Sequence, residues 1–171
     1  MHRIDRILHD SPVWGDLSNL RGVIELWQDG QLTGVEELWL KRLSSGFFMV
    51  CCVPFFAYGI ALGDEVECVD DATVDGVSIL RIEGVKNDGG HGVLRVFFQG
   101  TTASSVKPTI VTALHQFDAI LEWRSANYVA IDCPNDLVFQ QVLGVLDSLN
   151  PGDHTQWQYE IAKEPSSPFA R

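Results

Sequence analysis

Residues 92–133 read GVLRVFFQGTTASSVKPTIVTALHQFDAILEWRSANYVAIDC, and the order of elements in this stretch decides the fold. GVLRVFF is a run of apolar and β-branched residues, a strand pattern. Ser105 then opens a helix, with Pro108 placed in the tolerated first turn and Val106, Ile110, Leu114 and Phe117 recurring at helical spacing. ILEWR and YVAIDC follow as strands separated by Ser125-Ala126-Asn127, a hairpin-length gap.

Downstream, Asn135 is positioned to cap a second helix with Val138, Val142, Val145 and Leu149 on one face, ended by Asn150-Pro151-Gly152. The last strand, TQWQYEIA, alternates Trp157, Tyr159 and Ile161 with Gln156, Gln158 and Glu160. Residues 92–163 therefore spell βαββαβ, the split arrangement of a ferredoxin-like unit, with both helices on one face of a four-stranded antiparallel sheet. The other face, with Val93, Arg95, Phe97, Tyr128 and Ala130, needs another cover, and the strand-rich first half is the nearest candidate.

Upstream, turn signals fall near every tenth residue. GVIELW, a turn at Asp29-Gly30, VEELWLKRL, a Ser-Ser-Gly turn, FFMVCCV, DEVECV and VSILRIEGV give about five short strands, as in a small barrel. Ile4, Ile7 and Leu8 have helical spacing, so the first residues read as a short amphipathic segment or arm. The expected class is α+β: an N-terminal small antiparallel β-barrel or curled sheet packed on a C-terminal ferredoxin-like βαββαβ unit. The expected divisions are an arm at 1–20, a β-rich subdomain at 21–88, the ferredoxin-like subdomain at 89–164 and a disordered tail at 165–171.

Between two of the early strands lies VPFFAYGIALGDEV, residues 53–66. Pro54 lacks an N–H and cannot continue a central strand, while each Phe is worth about 1.5–3 kcal/mol if buried. Two readings follow: a core plug, or a ligand pocket lined by Phe55, Phe56 and Tyr58. Glu37-Leu38-Trp39, then Val53-Pro54-Phe55-Phe56-Ala57-Tyr58-Gly59 with Gly63-Asp64, then Gly90-His91-Gly92-Val93-Leu94-Arg95-Val96, are similar to the bacterial domain-of-unknown-function family 4265. Members commonly read Asn-Xaa-Pro-Phe-Phe and Ser-Gly-His; here Cys52 takes the place of the Asn and Gly89-Gly90-His91 that of Ser-Gly-His. The resemblance implies a bacterial source and supplies no activity.

Charge narrows the function classes. The formal net charge is −11, which opposes a polyanionic partner, so nucleic acid is not expected. Residues 31–90 carry ten acidic and four basic side chains, and the densest block holds Asp64, Glu65, Glu67, Asp70, Asp71 and Asp75 without a compensating base. That block reads either as a solvated hairpin protecting a sheet edge or as a docking surface for a basic protein.

No run approaches the roughly 18 apolar residues of a membrane span, and MHRIDRILHDSP lacks the apolar middle of a secretory signal. A cytoplasmic protein with no membrane partner is expected, with Cys51, Cys52, Cys68 and Cys133 reduced and buried.

Catalytic patterns are missing. GGHG at 89–92 precedes a strand where a phosphate cradle needs a helix N-terminus, and GxSxG, HExxH and EF-hand spacings do not occur, so no metal or cofactor is expected. His91, flanked by glycines and sharing a strand face with Arg95, reads as a turn histidine or as an acid/base or anion contact. Trp27, Trp39, Trp123 and Trp157 read as core or edge packing. The leading expectation is a non-enzymatic acidic binding protein, an immunity-type inhibitor of a basic bacterial toxin being one form of it. The alternative is a small-molecule sensor or enzyme with a pocket near Phe55, Phe56, Tyr58, His91 and Arg95.

Overall fold

Strand-forming runs over 20–50, punctuated by the turn residues Asp29-Gly30 and Ser44-Ser45-Gly46, place one phase of each strand inward, as with Leu38 and Leu40 of residues 31–42. The computed structural model describes residues 5–74, 77–99, 103–149 and 157–166. The chain divides into two units, Met1–Gly89 and Gly90–Arg171.

In the first unit β1 (Asp5–Ile7), β2 (Leu20–Gln28), β3 (Gln31–Arg42), β4 (Phe48–Val50), β5 (Glu65–Val74) and β6 (Val77–Asn87) form one sheet in the order β1-β3-β2-β6-β5-β4. A further pairing of β3 with β4 closes five of these strands into a barrel-like sheet. Asp29 and Gly30 both take positive φ (50° and 75°) between the paired Gln28 and Gln31, the two-residue turn whose twist matches a hairpin. The N-terminal segment departs from the helical spacing of its apolar residues: Asp5–Ile7 runs as a strand parallel to β3, from Asp5 opposite Gly34 to Ile7 opposite Glu36. Pairing with a long strand edge outweighs a weak three-residue helical pattern.

Leu38 and Leu40 of β3 point into the barrel with Phe48, Val50, Val66, Leu80 and Ile82, and Cys52, Ala57 and Ile60 join the same apolar cluster. The segment after β4 therefore fills the barrel. Its ends meet where the Val50 N–H donates to the Asp64 carbonyl (2.9 Å) and the Gly63 N–H to the Val50 carbonyl (2.9 Å), making residues 51–64 a closed loop packed by its own side chains.

The second unit contains β7 (Gly92–Phe98), α1 (Ala103–Leu114), β8 (Ile120–Ser125), β9 (Tyr128–Cys133), α2 (Asp136–Leu149) and β10 (Trp157–Lys163). Its sheet has the order β10-β7-β9-β8, every pair antiparallel. Leu94, Val96, Phe98, Val129 and Ile131 share one core with Ile110 and Leu114 of α1 and Val138, Phe139, Val142 and Leu146 of α2, so both helices cover the same sheet face. The Asn135 side chain accepts the Val138 N–H (3.0 Å) and caps α2. Pro108 lies inside α1, which begins at Ala103, rather than in a first turn opened by Ser105. Position 165 and Ser166 are described; the remainder of the expected tail, Asp75 of the acidic block and the Asn150-Pro151-Gly152 stop lie outside the described residues. No described helix is long and apolar enough to cross a membrane.

Candidate functional site

The inward parity of β3 that carries Leu38 and Leu40 also carries Glu36, a carboxylate inside an apolar barrel end. A buried carboxylate is tolerated only when hydrogen bonds replace its water. Glu36 is fully buried, and its Oε1 accepts the Phe55 N–H (2.5 Å) and lies 3.0 Å from His9 Nε2. Oε2 accepts the N–H groups of Phe56 (3.0 Å) and Ala57 (2.8 Å). Burial alone would raise its pKa, but the hydrogen bond and charge of His9 and the N–H groups of Phe55 and Phe56 overrule it and hold the carboxyl below its ordinary value.

His9 is itself fixed. Its ring stacks on Phe55 at 4.1 Å and 4°, and its carbonyl accepts the Trp39 indole N–H (2.9 Å).

A second carboxylate ties the far end of the loop. Asp64 is fully buried and accepts the N–H groups of Ala61 and Gly89, both at 2.8 Å. It belongs to the loop's framework and is not available to a docking partner. A Cβ at Gly89 would lie 2.8 Å from the Gly63 carbonyl carbon and oxygen, and one at Gly92 would lie 2.6 Å from the Phe139 ring. Close packing thus accounts for two of the glycines around His91.

Between these two anchors the loop turns Phe56, Ala57 and Tyr58 toward β2. With Ile24, Glu25, Leu26, Trp27 and Thr33 they line a groove of about 540 Å³. Trp27 is 60% exposed and Tyr58 63%, more than any other described Phe, Tyr or Trp, so Trp27 is not the packing residue its sequence context suggests. The Trp27 indole N–H donates to Glu25 Oε2 (3.1 Å), placing a carboxylate beside the ring. The groove offers aromatic surface, aliphatic floor and one negative charge, the recognition chemistry of a cationic, partly apolar group.

The remaining sequence candidates separate. Phe55 is buried against His9, outside the groove that Phe56 and Tyr58 line. Glu65 accepts from Asn87 (2.6 Å), Glu67 pairs with Lys86 (2.7 Å) and Asp70 is exposed. The side chain of Asp71, like Asp75, lies outside the described residues.

In the second unit His91 Nδ1 meets the buried Asp132 at 2.8 Å, and Arg95, 1% exposed, bonds Glu160 (3.1 Å). These contacts sit on the sheet face opposite the helices, which also carries buried Glu122 and Lys163. Among the described residues no group of three His, Cys, Asp or Glu side chains is arranged to hold a metal ion.

The family described as "Domain of unknown function (DUF4265)" matches residues 36–158, from the buried Glu36 through β10's second residue. The chain belongs to the DUF4265 family. Of the stretches singled out above for their similarity to it, Pro54-Phe55-Phe56 and Gly63-Asp64 belong in this DUF4265 chain to the carboxylate-held loop, whereas Gly92 beside His91 packs on Phe139 of α2. No curated protein matches the chain. A solved structure described as a hypothetical protein from Neisseria gonorrhoeae is similar in fold, with a TM-score of 0.70 at 15% identity, over 86% of this chain and 96% of that one.

Proposed function

We propose that this protein is a non-enzymatic binding protein whose first unit takes a basic, partly apolar segment of a partner protein into the groove beside Trp27 and Tyr58. The observation that carries the reading is the pair of exposed rings, 60% and 63%, flanking an aliphatic groove whose charged lining residue is Glu25. Residues 1–30 contribute −2 and residues 31–90 −6 to the formal charge, a field that favours basic partners and speeds their approach. Inhibition of a basic toxin in the manner of an immunity protein is the specific form that suits such a field. Four free cysteines support a reducing compartment such as the cytoplasm. The second unit is read as ferredoxin-like, supported by its βαββαβ order, its β10-β7-β9-β8 sheet and its helices on one face.

The test is amide chemical-shift mapping with the peptide acetyl-Lys-Val-Lys-Tyr-Lys-Val-Lys-amide and with its all-Glu counterpart. The basic peptide is expected to shift Ile24–Gln28 and Phe56–Tyr58, to weaken with salt, and to lose about tenfold or more in affinity with Trp27→Ala, as central aromatic contacts do. Equal binding of both peptides, or affinity unchanged by Trp27→Ala and Tyr58→Ala together, would refute the reading.

A further inference from the structure

The two hairpins that meet at the barrel seam do not zip along their length. β2 pairs with β3 from Leu20 to Gln28, but its pairing with β6 is confined to Gly22 opposite Leu80 and Val23 opposite Arg81. Beyond that point both strands run on in the same direction. β6 continues from Ile82 to Asn87 against β5, and β2 continues from Ile24 to Gln28 against β3, with no ladder partner between them among the described residues.

The cause is local. A register shift interrupts the β2–β3 ladder between Leu26 and Trp27, and three interrupt β5–β6, at Glu65/Val66, Glu67/Cys68 and Asp70/Ala72. Bulges add twist and bend their strand, so two strongly twisted hairpins that touch at one point splay apart beyond it.

The splay leaves a cleft of about 350 Å³ lined by Ile24 and Glu25 on one bank and Arg81, Ile82, Glu83 and Gly84 on the other. Ile24 and Glu25 also line the aromatic groove, so the two spaces adjoin at β2. Of the usual edge protections the banks have charged side chains and bulges, but neither proline nor a covering element between them among the described residues. Ile24–Gln28 and Ile82–Asn87 contain no proline, their one lysine, Lys86, is paired with Glu67, and a Cβ at Gly84 would meet nothing within 4 Å.

We infer that the partner's segment enters this seam as an added β-strand along the outer edge of β2, residues Glu25–Gln28. The inference rests on the groove reading above and names its binding mode. Alternate N–H and C=O groups of β2 point away from β3 and supply the ladder; an incoming strand sets at the 4.7–4.9 Å spacing of any sheet neighbour. Its side chains alternate, one set reaching the rings of Trp27 and Tyr58 and the other lying over the cleft. There Glu25 and Glu83 outnumber Arg81, which Glu83 already engages at 2.8 Å, so lysine or arginine is the complementary choice. The occupant is an extended basic segment of another protein.

The experiment uses the full chain and three forms of the Lys/Val/Tyr peptide: unmodified, N-methylated at the three residues between the lysines, and N-methylated at the lysines. Strand addition predicts that one methylated isomer loses about tenfold or more in affinity, because the hydrogen bonds to β2 are removed, while the isomer methylated on the outward edge keeps it. It also predicts slowed amide hydrogen exchange within Glu25–Gln28 in the complex. If both methylated peptides bind at the groove as tightly as the parent, strand addition is wrong and the groove reading survives. If the unmodified peptide does not shift the groove residues at all, the groove reading fails and this inference falls with it.

Discussion

Replacing Glu36 by Gln changes one atom's chemistry and tests the framework on which the groove stands. Four donors converge on the carboxylate, two on each oxygen: His9 and Phe55 at Oε1, Phe56 and Ala57 at Oε2. A glutamine amide presents one oxygen and one NH2, so the N–H groups of Phe56 and Ala57 face a donor when the NH2 takes the Oε2 place, and that of Phe55 does when it takes the Oε1 place; in both the charge that pairs with His9 is gone. Each buried donor left without an acceptor costs about 1–3 kcal/mol, which puts E36Q at roughly 3–5 kcal/mol of destabilisation. Urea unfolding followed by circular dichroism and by tryptophan fluorescence measures it, and the melting temperature is expected to drop by about 10 °C or more. Glu37→Gln is the internal control, because its partners Arg6 and Arg21 are 59% and 56% exposed and water replaces them readily; its cost stays within about 1 kcal/mol.

The depressed carboxyl of Glu36 adds a pH signature. Between its lowered folded value and the ordinary 4.5 the folded state binds fewer protons than the unfolded one, so stability rises with pH through that window. The contribution is fully present above the ordinary value and lost as pH falls through the lowered one. E36Q should flatten that part of the acid slope. A cost below about 1 kcal/mol with the acid slope unchanged would refute the assignment of Glu36 as the loop's anchor.

Two further expectations follow from packing and charge. Gly89→Ala, whose Cβ would lie 2.8 Å from Gly63 backbone atoms, should destabilise by about 1–3 kcal/mol in thermal melts, whereas Gly84→Ala, with open space around it, stays within about 0.5 kcal/mol; equal effects would contradict the close approach. Burial, then the charges of Glu67 and Glu83, push the half-buried Cys68 thiol up to about 11, so Ellman's reagent at pH 8 should label it slowly and Glu67→Gln with Glu83→Gln should hasten it; rapid stoichiometric labelling of the unmodified protein would count against this.

Much of the architecture is legible from local patterns. The Asp29-Gly30 turn, the alternation of Leu38 and Leu40 with Glu37 and Trp39, and the element order after Gly92 all report neighbours a few residues away, where periodicity carries the information. The seam between β2 and β6 does not, because Gly22 and Leu80 meet through tertiary closure and no local rule specifies which strands stop pairing after two residues.

Glu36 was hidden among the acids of Val35-Glu36-Glu37-Leu38. Its signal was parity: it shares the inward phase of Leu38 and Leu40, and a charge in that phase must be bonded inside. Asp64 is masked by its acidic neighbours for the same reason, since a tally of charge along the chain ignores which side chains point inward. Trp27 keeps the outward phase of Arg21 and Glu25, opposite the Leu20, Ile24 and Leu26 that pack on the barrel core, so alternation along β2 itself places it at the surface.

Glu36 and Asp64 grip main-chain amides, not the side chains of the segment they shape. A side-chain change at position 56 or 58 therefore leaves those amide bonds in place while changing the surface of the groove. The barrel end is in that respect a modular frame, its exposed residues separable from the bonds that shape it.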